Sequence, residues 1–126
     1  MAKTFALVVG VVMLLVGIMG FVMNPTGGLL LGIFAVNQPH NLIHVVTGLA
    51  GIAASFQGFA RLFCQIFGVV YLLVAVLGLV ATDSQRMVLG LIHNNMADNI
   101  LHLAIGASAA YVGFAGDVRT VTTARP

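Results

Sequence analysis

Two short stretches hold most of the side chains in this chain that could do chemistry. Asn41-Leu42-Ile43-His44-Val45-Val46-Thr47-Gly48 returns, 58 residues later, as Asn99-Ile100-Leu101-His102-Leu103-Ala104-Ile105-Gly106. An amide, an imidazole and a glycine at i, i+3 and i+7 share one face of a helix. Each copy therefore makes a polar stripe with a notch where a side chain is missing. His40 precedes the first stripe, and Asp98 stands at the matching place before the second.

Such a pair of stripes suits several chemistries. As structural groups, Asn41 and Asn99 would each bond an imidazole or the freed backbone at the helix start, with His40 and Asp98 forming an ion pair between the copies. As a cofactor site, His44 and His102 would be axial ligands of a haem or hold a chlorophyll-type ring, and nearby glycines would admit the flat macrocycle. As a metal site, His40, His44, Asp98 and His102 are ligands by type, with His93 as a spare. Enzymatic chemistry has thinner support. Asp98 and His102 at i, i+4 form an acid–base couple, but no nucleophile stands beside a base and no glycine-rich phosphate loop is present. The structural reading leads, and the chain reads as non-enzymatic.

The elements that must carry these stripes are apolar to an unusual degree. Of 126 residues, 60% are hydrophobic and 6% charged, with a formal charge of +2. This composition belongs to a membrane protein and leaves no basic face for nucleic acid. The single Cys64 excludes an internal disulfide and a cysteine metal cluster. Residues 5 to 23 and 62 to 81 each approach the roughly 20 apolar residues that cross a bilayer, and 100 to 114 is a shorter third run.

Shifting residues 1–58 onto 59–116 superposes Asn37, Asn41, His44 and Gly48 on Asn95, Asn99, His102 and Gly106. Polar coincidences of that kind indicate an internal duplication within one membrane domain, followed by a polar tail at 117–126. Each repeat holds two spans, so the expected fold is an all-α bundle of four transmembrane helices. It comprises two parallel helical hairpins related by a pseudo-twofold axis along the membrane normal. The first run is also too long for a signal peptide and has an internal twin.

Asn24-Pro25-Thr26-Gly27-Gly28 ends span one, and Thr82-Asp83-Ser84-Gln85-Arg86 ends span three. Leu29 to Val36 and Met87 to Ile92 are too short to cross and are expected at the interface, or dipping in as a partial turn, before helices two and four. Asn37-Gln38-Pro39 should cap the second helix. The stripe continues through Gly51 and Ser55 on that helix, and through Ala109 and Gly113 on the fourth. Small residues let helix backbones approach in lipid, so helices two and four should meet along these faces. Lys3, Arg61, Arg119 and Arg125 fall on one side and Arg86 on the other, which places both termini in the cytoplasm.

The segments Leu31 to Asn37, Asn41 to Gly48 and Asp98 to His102 resemble those of bacterial membrane proteins grouped as domain of unknown function 4383. The likeness runs over about residues 5 to 115. It implies four transmembrane helices and a prokaryotic cell (inner) membrane, and supplies no activity, substrate or catalytic residue. The expected role is an accessory or scaffold subunit with a membrane-protein partner or a second copy of itself. A tetrapyrrole or metal site, and a small transporter or channel formed as an oligomer, are the alternatives.

Overall fold

A computed structural model describes residues 1–80 and 86–115. Helix α1 (Ala2–Met23) leads into a hairpin of β1 (Gly28–Leu30) and β2 (Phe34–Val36), then α2 (Gln38–Gln57). After a short turn come α3 (Ala60–Val80), a second hairpin of β3 (Met87–Val88) and β4 (Ile92–His93), and α4 (Met96–Phe114). The chain is mostly helical. Helices α1 and α3, with mean hydropathies of 2.8 and 2.5, are long and apolar enough to cross a membrane. The expected tail at 117–126, with Arg119 and Arg125, and the stop signal at 82–85 lie outside the described residues.

The caps follow local chemistry. Asn37 accepts from the amide of His40 at the start of α2, with Pro39 in the first turn, and Asn95 accepts from the amide of Asp98 at the start of α4. Asp98 answers by accepting from the Asn95 amide at 2.8 Å, which completes a capping box.

The apolar pieces between helices are strands, which corrects the all-helical expectation. In the first hairpin the Ile33 amide donates to Leu30 O, with Leu31 and Gly32 at φ 54° and 72°. In the second, Leu91 donates to Val88 O, with Leu89 and Gly90 at φ 54° and 66°. Three residues separate the paired strand ends in each hairpin, Leu31 to Ile33 and Leu89 to Leu91, and positive φ at the first two is the mark of a type I′ turn. Its first position usually holds Asn, Asp or Gly. Leucine there is strained by roughly 1–2 kcal/mol, because its Cβ crowds the carbonyl oxygen.

Packing partners differ from the expected ones. The small faces of α2 and α4 do not meet each other: α2 packs against α1, and α4 against α3. A Cβ on Gly48 would lie 2.5 Å from the Leu14 amide nitrogen, and one on Gly106 would lie 2.9 Å from that of Leu72. The two pairs join chiefly where α1 crosses α3. There Met13, Phe67, Tyr71 and Ala109 form one buried cluster and Ala6, Ala60 and Cys64 another. The end of α4 is tied to the start of α3, where Arg61 Nε and Gln65 Nε2 both donate to Gly113 O.

At the other end the hairpins reach across. Asn37 Nδ2 donates to Leu91 O at 2.9 Å, and Asn95 Nδ2 donates to Ile33 O at 2.7 Å. Those donors are 58 residues apart, and so are those acceptors. His40 and Asp98 repeat the exchange: His40 Nδ1 bonds His93 O at 2.9 Å, and Asp98 Oδ2 accepts from the Ala35 amide at 3.0 Å. Each residue engages backbone of the opposite repeat, in place of the ion pair expected between them.

Candidate functional site

The three imidazoles of His40, His44 and His102 converge beneath the crossed hairpins. Ring centroids are 4.5 Å apart for His40 and His44, 5.9 Å for His40 and His102, and 6.4 Å for His44 and His102. One nitrogen from each lies within 4.8 Å of the others. All three residues are more than nine-tenths buried, at 3%, 7% and 4% exposure.

Their surroundings fix them unevenly. A carbonyl can only accept, so the His93 oxygen places the proton of His40 on Nδ1 and leaves Nε2 with its lone pair. Nδ1 of His44 and Nδ1 of His102 are buried without a hydrogen-bond partner. The edge of Tyr71 packs against His102 at 5.2 Å, and the Tyr71 hydroxyl donates to Met13 Sδ at 3.6 Å. Buried polar atoms are almost always satisfied, so orphaned nitrogens in one cluster point to a missing ligand or solvent.

The asparagines of the stripe do not bond the imidazoles, contrary to expectation. Asn99 Oδ1 accepts from Asn94 Nδ2 at 2.8 Å. The residue matching Asn94 in the first repeat is Val36, and Asn41 there is fully buried with neither side-chain atom bonded. Both amides press on a glycine of the preceding helix, Asn41 on Gly20 and Asn99 on Gly78. Sequence reading missed Asn94, whose signal was an amide directly before the N-cap Asn95 where the other repeat has valine.

Two cavities of about 150 Å³ flank the cluster, and His44 and His102 line both. One opens between α2 and α3 beside Tyr71 and Leu77, the other between α1 and α4 beside Met13 and Met19. Every residue lining one cavity has its counterpart, 58 positions away, lining the other. A strained leucine lines each cavity, Leu89 the first and Leu31 the second.

Neither cavity as it stands encloses a tetrapyrrole. A cavity of about 150 Å³ accepts a molecule the size of benzene, and a macrocycle joins several such rings. The glycines expected to admit it are already filled by neighbouring backbone, as at Gly48 and Gly106. Among the expected metal ligands, Asp98 and His93 stand outside the three-nitrogen cluster. Asp98 lines the α1/α4 cavity while its Oδ2 holds two amides, and His93 serves through its backbone carbonyl.

Comparison with curated proteins and with solved structures finds no match. Residues 3–115 match the model of the family described as domain of unknown function (DUF4383), nearly the whole length of the chain, and the protein belongs to that family.

Proposed function

We propose that the chain is a four-span integral protein of the prokaryotic cell membrane that acts as an accessory or scaffold subunit and catalyses no reaction of its own. In this reading α1–α2 and α3–α4 are parallel hairpins related by a pseudo-twofold axis along the membrane normal. Both termini are cytoplasmic and both β-hairpins lie at the outer face. The observation that carries it is an inverted distribution of polarity. His40, Asn41, His44, Asp98, Asn99 and His102 are buried, while Leu42, Val46, Leu49, Ile100 and Leu103 stand exposed on α2 and α4. Those helices have 20 and 19 residues, about the thickness of the hydrocarbon layer at 1.5 Å per residue.

The non-catalytic reading draws on Asp98. Its Oδ2 is occupied by the Ala35 and Asn95 amides, so the acid–base couple suggested by its spacing to His102 is committed to holding the hairpins. An accessory role also suits a chain this small. Chemical cross-linking in native membranes, followed by mild solubilisation, tests it: a defined membrane-protein partner or a second copy should be captured. Recovery of the uncross-linked monomer alone would remove the accessory role.

A further inference from the structure

We propose that His40, His44 and His102 form a binding site for copper(I), reached through the cavity between α1 and α4. From the reading above this takes only the placement of the cluster within the bilayer, and it does not need a protein partner.

The ligand set comes first. Three imidazoles offer one nitrogen each within 4.8 Å of one another. Bonds of about 2 Å to a common ion need nitrogens roughly 3.3–3.5 Å apart, so the rings must draw together by up to about 1.5 Å on binding. His40 has the support typical of a metal-bound histidine, its Nδ1–H held by the His93 carbonyl with Nε2 left for the ion. His44 and His102 each carry a buried nitrogen with no other partner.

The choice of ion follows from charge and softness. Imidazole accepts zinc, copper, iron and nickel alike, so the three ligands alone do not choose. The desolvation cost of an ion rises with the square of its charge, so a monovalent ion among neutral ligands costs about a quarter of what a divalent one does. The walls add a second discrimination. The α1/α4 cavity carries the thioethers of Met13 and Met19 and the carboxylate of Asp98, where the other has Tyr71, Leu77 and His40. Thioethers favour copper(I). The two cavities are copies that have diverged, and the divergence has put soft ligands on one side.

The test is anaerobic titration of the purified full-length chain, in mild detergent with ascorbate, against a chromophoric copper(I) chelator. One copper per chain should be retained, and copper K-edge absorption of that sample should show imidazole scattering. His44→Asn and His102→Asn should each weaken binding by more than the roughly tenfold that loss of an outer partner costs. The Met13→Leu/Met19→Leu variant should load more slowly and lose part of its preference for copper(I) over zinc. Failure to retain copper, an absorption edge without imidazole, or unchanged affinity in both histidine variants overturns the site. Tighter retention of zinc overturns the choice of ion, and unchanged loading in the methionine variant overturns the route. Partner capture is scored separately in membranes, so either proposal can fail alone.

Discussion

Asn41 and Asn99 occupy matching positions and meet different fates, which makes their substitution informative. Truncating either to alanine removes the same packing against a glycine, but Asn99→Ala also strands the Asn94 amide that Asn99 accepts. A buried donor left unpaired costs about 1–3 kcal/mol. Asn99→Ala should therefore be the more destabilising of the two by about that amount, measured by thermal unfolding in detergent. Equal losses would mean that the Asn94 bond contributes nothing. Gly20→Ala offers a second check, because its new methyl group meets the Asn41 side chain. Overpacking of this sort costs roughly 1–3 kcal/mol, and a neutral result would show that Asn41 can turn aside.

At the scale of the element, the hairpin tips are the places where local preference is overridden. Leu31 and Leu89 hold left-handed backbone that asparagine adopts far more readily. Leu31→Asn should raise stability by up to about 1 kcal/mol, the lower part of the left-handed penalty, unless leucine there has a tertiary role. A fall in melting temperature would reveal that role, with the lining of the α1/α4 cavity as its place. Asn37 and Asn95 work differently, each capping its helix with Oδ1 and crossing to the other hairpin with Nδ2. Their capping was legible in the sequence because an amide ahead of a helix start is a local signal, reinforced at α2 by Pro39. Their crossing was not, since it depends on which loop lies opposite. The hairpins themselves were hidden because a short apolar run has no period that separates strand from helix.

For the whole molecule, the proposed four-span reading turns on which side of the bilayer each end occupies. With Cys64 replaced by alanine, single cysteines at Leu31 and Leu89 should both react in intact cells with a membrane-impermeant maleimide. Reaction at only one tip would overturn the parallel arrangement proposed for the two helical hairpins. In the unaltered protein Cys64 is fully buried and should be modified only after unfolding. The four helices and the meeting of His44 with His102 were readable from the pattern of apolar runs and polar stripes. The pairing of α2 with α1 was not, because a face of small residues announces close approach without naming the partner. Likewise the spacing offered Asp98 and His40 equally as ligands, and only the crossing of the hairpins assigns one to hold amides and the other to join the cluster.

The matched linings of the two cavities carry a practical benefit. A change made in one repeat has a natural comparator in the same polypeptide, under the same detergent and lipid, so Met13 can be swapped for the tyrosine its twin already carries. Exchanging such counterparts in both directions would separate traits that follow the side chain from those that follow its place in the fold.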